Sequence, residues 1–407
     1  MESNTILYKP LGDVIELLTD YHANGAYEKL KENVTLLDKE NHAVMIRTTN
    51  FEANDFKNNL IYIDEHAYEF LKKSKVYASD LIMNKIANPG TVYFMPEISK
   101  PVSLGMNLFL IRIDPKKANP YFIYTYLRKN EHYVKSFASG STTKTITKDD
   151  VRRLKIYTPP LAEQNKIAQI LSIWDQAISA TVKLLRNSQQ QKKALMQQLL
   201  MGKKRLLDVS DNQFDDKWKS VSLDKLITIY NVKSTTNNQF PVITSSRRGI
   251  YLQDDYFKKQ VASEDTTGYK IVPKGYVTFR SMSDDGKFVF NQQLILENAL
   301  ISPAYGVFKF SNINADFGMY LLNSHQMHKQ INALSQGGTR VALKTSSFCD
   351  VIMRIPTLEE QKEIAKVLSS ADQEIGTLQK KLDCLKKEKK ALMQQLLTGK
   401  KRVKVAA

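Results

Sequence analysis

One long internal repeat restricts what this chain can fold into more than any other feature. Lys192-Lys-Ala-Leu-Met-Gln-Gln-Leu-Leu200 recurs as Lys389-Lys-Ala-Leu-Met-Gln-Gln-Leu-Leu397, 197 residues later. The same offset aligns Leu161-Ala-Glu-Gln164 with Leu358-Glu-Glu-Gln361, and Gly202-Lys-Lys-Arg205 with Gly399-Lys-Lys-Arg402. From Pro159 to Arg205 no gap is needed and 26 of 47 positions are identical. Such self-similarity means duplication, and the fold has to accommodate two copies of one unit.

The repeated segments, 159–208 and 356–407, read as helices. Pro159-Pro160 and Pro356 stand where a helix starts, and Gly202 and Gly399 where it stops. The basic triplets after those glycines suit the negative end of a helix dipole. In the second copy Ile364, Ala371, Leu378, Leu385 and Leu392 are seven apart, and Leu368, Ile375, Leu382 and Leu396 fill the other seam position, with Lys389 as the exception. The first copy follows through Ile167, Leu171, Trp174, Ile178, Leu185, Leu195 and Leu199, but puts Thr181, Ser188 and Lys192 on the same stripe. Two seams of this length predict helices packed on each other as an antiparallel coiled coil. The alternative is two ordinary amphipathic helices, each on its own core.

The stretches 1–158 and 209–355 read as mixed α/β. Strand-like runs are Ala43–Arg47, Thr91–Met95, Leu108–Ile113, Phe240–Thr244, Tyr276–Arg280 and Gly306–Phe310, with short helices expected at Tyr121–Lys129 and Phe317–His325. Each stretch has a Gly/Thr loop near its end, and Gly140 and Gly337 again differ by 197. The expected class is therefore α+β: two mixed α/β domains separated by two long helices, with a pseudo-twofold internal repeat.

Composition narrows the function. The net charge is +17, which favours an anionic partner over colloidal solubility alone. No run of about 18 apolar residues is present, so no membrane span is expected. The polar opening Met1-Glu-Ser-Asn-Thr5 is unlike a signal peptide, and the two cysteines, Cys349 and Cys384, suggest neither a disulfide framework nor a zinc site. Both readings fit a cytoplasmic protein. No phosphate-cradling glycine loop, no dinucleotide fingerprint and no His/Cys metal spacing occurs, so no catalytic residue, metal or cofactor is assigned to the chain. His325 and His328 share a helix face without a carboxylate cluster and read as surface residues.

Pro-x-Leu-x-Glu-Gln-x-x-Ile-Ala at 159–168 and 356–365, Leu-Ser-x-x-Asp at 171–175 and 368–372, and the terminal Lys-Lys-Ala-Leu-Met-Gln-Gln-Leu-Leu blocks together carry a family resemblance. Over essentially its full length the chain resembles the specificity subunit of Type I restriction–modification enzymes. Leu11-Gly12-Asp13-Val14 and Trp218-x-x-Val221-x-Leu223-Asp224 are similar to that family's domain starts. The resemblance implies that 1–158 and 209–355 are target-recognition domains, each reading one half of a bipartite, asymmetric site on double-stranded DNA. The spacer helices would set the distance. It further implies two methyltransferase subunits that methylate adenine with S-adenosylmethionine, and two restriction/translocase subunits that use ATP and Mg. The chain itself would be non-catalytic. The competing expectations are a coiled-coil scaffold without DNA specificity and a self-sufficient nuclease; the latter lacks a carboxylate–metal constellation.

Base reading calls for Arg, Lys, Asn, Gln, Ser or Thr on protruding loops. In the first domain the candidates are Arg47, Asn50, Lys85, Asn88, Thr142, Thr143 and Lys144. In the second they are Ser246, Arg247, Arg248, Arg280, Ser281, Thr339, Arg340 and Lys344. For each the competing reading is a solvated turn. Glu163, Gln164, Glu360 and Gln361 are expected near a partner-subunit interface, with capping of the first helical turn as the alternative.

Overall fold

The structure is a computed structural model, described over residues 8–207, 210, 212–257, 263–335 and 341–404. It divides into two compact units: one of residues up to Thr181 with those from Lys381 on, the other spanning Val182–Lys380.

In each unit a short antiparallel pair closes the mixed α/β domain beside the long helix: Tyr8–Pro10 with Lys155–Tyr157, and Lys219–Ser222 with Ile352–Ile355. A 3-10 turn follows each opening strand, at Leu11–Val14 and Leu223–Lys225. Leu11 and Leu223 are fully buried, and their N–H groups donate to the Leu154 and Val351 carbonyls. These are the apolar anchors of the two domain-start motifs.

The main sheet of the first unit runs Ile15–Asp20, Leu108–Ile113, Leu81–Asn84, Val92–Phe94, antiparallel throughout. That of the second runs Ile227–Ile229, Tyr305–Phe310, Val277–Arg280, Phe290–Gln292, in the same order. The duplication therefore extends into the domains, where the sequences have diverged. The first unit adds a second four-stranded sheet around Ala43–Ile46 and Val102–Leu104, which pair in parallel. The second adds three two-stranded ladders instead.

The helix expected at Tyr121–Lys129 is Pro120–Lys129, started by Asn119, whose side chain accepts from the Phe122 N–H. Its counterpart stops earlier than expected, at Leu322. Asn323 turns aside to bond both backbone groups of Phe290, and Ser324 caps a new helix, His325–Leu334. On that helix His325 is exposed but His328 is half-buried, with an Nδ1 that lacks a partner, so the expectation of two surface histidines holds for His325 only.

The long helices are Leu161–Leu199 and Leu358–Leu396. Gly202 and Gly399 take φ of 65° and 71°, left-handed values that end a helix at low strain. In the first unit Ile167, Ala168 and Leu171 join the domain core together with Leu396 and Leu397. In the second unit Ile364, Ala365 and Leu368 join it with Leu199 and Leu200. The start of one long helix thus packs beside the end of the other in each unit, the antiparallel pairing that the seams predict. Three of the breaks in the seam are polar pairs across the helices, whereas the Thr181 hydroxyl donates to the Ala177 carbonyl of its own helix. Lys192 Nζ lies 2.5 Å from Asp372, Ser188 donates to Glu374 at 2.9 Å, and Lys389 Nζ lies 2.5 Å from Asp175. A lysine at a seam position weakens apolar packing but fixes register when its counter-charge is on the facing helix.

Candidate nucleic-acid interface

In the first domain two loops far apart in sequence meet. Ser139 and Thr145 exchange backbone hydrogen bonds of 2.9 and 2.8 Å, closing a small loop that presents Thr142, Thr143 and Lys144, all exposed. Gly140 has φ of 123°, and a Cβ there would lie 2.4 Å from the Thr143 carbonyl, so only glycine closes this loop unstrained. The Ile146 N–H donates to the Lys85 carbonyl, which holds the loop against the Asn84–Gly90 turn. The result is an open cleft of about 480 Å³ bordered by Asn88, Lys135 and Thr142–Lys144.

Lys85 is half-buried beside this turn and is already paired, at 3.2 Å from Asp20, whose other oxygen takes Lys148 at 3.1 Å. Burial pushes the Asp20 carboxyl up, but the hydrogen bonds from Lys148 and Lys85 outweigh it and the net shift is downward. Lys148 and Lys135 are basic groups that the loop-based reading overlooked. They lie on the short helices Lys148–Arg153 and Glu131–Lys135, where their spacing gives no signal.

Arg47 and Asn50 are placed differently. The Asn50 side chain is buried. Its oxygen accepts the Arg47 N–H at 2.9 Å and its amide reaches the Asp55 carbonyl, so it builds the start of the helix Thr48–Ala53. Arg47 is half-buried, with one Nη donating to the Asn59 carbonyl at 3.4 Å and Nε without a partner. Thr48 donates to Asn84, which brings this helix start next to the Lys85 turn.

In the second domain Arg247 and Arg248 form the two-residue turn of a hairpin between Ile243–Ser246 and Gly249–Leu252. Gly249 has φ of 116°, and Ser246 steadies the turn by accepting the Arg248 N–H at 3.0 Å. Arg247 is exposed and its guanidinium meets Asp285 at 2.6 Å. Ser246, Arg247 and Arg280 line one cleft of about 300 Å³, to which Tyr256 and Lys287 also contribute. Those last two were not expected; Lys287 follows a glycine in an acidic turn that reads as solvated.

Both the N–H and the hydroxyl of Ser281 donate to the Ala304 carbonyl, which leaves the side chain only its acceptor capacity. Lys344 is exposed at the start of the helix Thr345–Cys349, and the Leu343 N–H before it donates to the Ser281 carbonyl. Thr339 and Arg340 lie outside the described residues.

The four residues expected near a partner interface have buried side chains that are engaged within the chain. Glu163 accepts Arg402 Nε and Nη2 at 2.9 and 2.6 Å, and Glu360 accepts Arg205 at 2.6 and 2.7 Å. Gln164 accepts the Asn119 N–H and donates to the Pro159 carbonyl; Gln361 repeats this with Asn314 and Pro356. A glutamine that bonds both the domain backbone and the helix entry fixes the angle between them, which explains why this pair recurs in both copies. Among the described residues no group of three or more His, Cys, Asp or Glu is arranged to hold a metal, and no helix is long and apolar enough to cross a membrane.

The two-unit layout agrees with what the chain is similar to. The family described as Type I restriction modification DNA specificity domain matches twice, over residues 8–187 and 215–387. The Type I restriction enzyme MjaVIII specificity subunit of Methanocaldococcus jannaschii is 25% identical over 344 residues, covering 78% of each chain. The crystal structure of a Type-I restriction-modification system S subunit from M. genitalium superposes with a TM-score of 0.57 at 14% identity, covering 98% of both chains. A structure from work on assembly and conformational transition of the type I R-M system gives a TM-score of 0.50 at 15% identity, covering 96% of this chain and 97% of that one.

Proposed function

The chain belongs to the Type I restriction–modification DNA specificity family, as a DNA-recognition subunit, and from that we propose how its parts divide the task. Each domain reads one half of a bipartite, asymmetric site. The helix pair sets the spacer and docks two methyltransferase subunits, which methylate adenine; two restriction/translocase subunits complete the assembly. S-adenosylmethionine, ATP and Mg belong to those subunits, and this chain is non-catalytic.

The observation that carries the reading is the double family match on a chain whose two domains share a strand order but line their clefts with different residues. A shared main sheet with unlike clefts suits two unlike half-sites. In the first domain the cleft offers Asn88, Thr142, Thr143 and Lys144; in the second it offers Ser246, Arg247 and Arg280, with Arg248 at the same hairpin tip and Lys344 following Leu343, whose N–H donates to the Ser281 carbonyl next to Arg280. For docking, the support is apolar side chains left exposed on the first long helix: Ile173 in the first unit, Val182 and Leu184 in the second.

Sequencing methylated bases in cells that carry the chain with its partner subunits tests this. The expected result is one bipartite motif with methylated adenines, lost when this chain is deleted. Adenine methylation that persists without the chain, or is catalysed by the purified chain alone, overturns it.

A further inference from the structure

The domains have to be held rigidly on the helices for a helix pair to act as a ruler, and the structure shows how. In each unit a tyrosine of the domain, an aspartate of one long helix and a lysine of the other form a triangle. Tyr320 OH donates to Asp372 Oδ2 at 2.7 Å, Lys192 Nζ meets Asp372 Oδ1 at 2.5 Å, and the same Nζ lies 5.2 Å from the centre of the Tyr320 ring. In the other unit Tyr121 OH donates to Asp175 Oδ2, and Lys389 Nζ meets Asp175 Oδ1 at 2.5 Å. Each aspartate uses the same oxygen for the same partner in both copies. Burial, and after it the hydrogen bond to the aspartate, pushes both tyrosines' ionisation upward, so both hydroxyls stay protonated donors.

The position of the triangle matters as much as its bonds. Each domain is already fastened at the helix entry, by Gln164 or Gln361. Asp175 and Asp372 stand 11 residues further along, about 16 Å at 1.5 Å per residue. One fastening leaves a hinge; a second one three turns along the helix removes it. Apolar burial near the entry resists separation, but a greasy contact tolerates small rotations that a charge-assisted hydrogen bond does not.

We propose that Asp175 and Asp372, with Tyr121/Lys389 and Tyr320/Lys192, are positioning residues that fix the angle of each recognition domain on the helix pair, and so restrict the spacer length the subunit accepts. This rests on the bipartite reading above. An added base pair displaces a half-site by ~3.4 Å and turns it by roughly one tenth of a helical revolution. A clamped domain cannot follow; an unclamped one can.

The test is methyl transfer by the complete methyltransferase complex, on duplexes carrying the two half-sites found in the methylome, with the native spacer or one base pair more or less. Wild-type complex is compared with Asp372→Ala, Asp175→Ala and Tyr320→Phe; the last removes one oxygen and keeps the ring. The expected result is that rates on off-length spacers, relative to the native one, rise about tenfold in the aspartate variants and less in Tyr320→Phe, with the half-site bases unchanged. A uniform loss on all three spacers, with relative rates as in wild type, overturns the clamp and leaves the two residues merely structural. Wild-type complex that methylates single half-sites as well as bipartite duplexes overturns the reading on which the clamp depends.

Discussion

Glu163 and Glu360 occupy the same position in the two copies, yet their arginines are not equivalent. Arg205 is largely covered and meets a fully buried carboxylate, whereas about half of the Arg402 side chain is exposed. Removing the partner of a buried charge leaves it unpaired, which costs about 3–5 kcal/mol. Arg205→Ala should therefore lower the urea midpoint of the second unit strongly, and Arg402→Ala should lower that of the first by clearly less. Equal losses would mean that solvent does not relieve Glu163. Asp20 gives a pH dependence. Its folded carboxyl ionises below its ordinary value, so the stability it contributes is present above that value and is lost as pH falls through the folded one. Wild-type protein should lose stability below about pH 4 more steeply than Asp20→Asn, as followed by thermal melts across pH 3–6. At the cleft of the second domain, Arg247→Ala should weaken specific DNA binding by about tenfold or more, the worth of one good base contact. Asp285→Asn, which frees that guanidinium, should raise non-specific binding and steepen its salt dependence. Filter binding at two salt concentrations separates the two effects.

The long helices were the most legible elements in the sequence. Proline at the start, glycine at the stop and a seven-residue apolar period are local signals, and the helices span 39 residues each, inside the expected segments. What the pattern could not give was the meaning of its own defects. Lys192 and Lys389 look like breaks, because the aspartates that neutralise them are about 180 and 214 residues away. For the same reason Glu163 and Glu360 looked available to a partner when their arginines stand far along the chain. Loop chemistry was legible in part: the turn 142–144 and the hairpin tip 247–248 are exposed, but Asn50 and Ser281, chosen by residue type, are engaged with backbone. A four-residue insertion after Ser179 adds about 6 Å of helix, close to two base pairs. The expected methylome keeps both half-sites and lengthens the spacer by one or two base pairs. The same insertion between Leu378 and Leu385 displaces the buried Leu382 and should lower thermal stability further.

At the scale of the whole molecule the two units are built by exchange. The first unit takes the end of the second long helix, from Lys381 on, and the second unit takes the end of the first, from Val182 on. Because the contributed stretches are identical over Lys192–Leu200 and Lys389–Leu397, the recognition domains should be interchangeable parts. Replacing 1–158 with the first domain of another family member should change one half-site of the methylated motif and leave the other as it was. A change in both would mean that the domains do not read independently.

The exchange also sets a timetable for synthesis. The second unit is one continuous stretch, Val182–Lys380, and can close as soon as it has been made. The first unit has its domain early, but Leu396, Leu397 and Arg402, which finish its core and its buried ion pair, come more than 200 residues later. At ~5–20 residues per second that is a wait of roughly 10–40 s, with the apolar face of Ile167 and Leu171 uncovered. The nascent first domain should accordingly be the part that chaperones hold, and a released chain ending at Lys380 should be cleaved by protease in the first unit and resist it in the second.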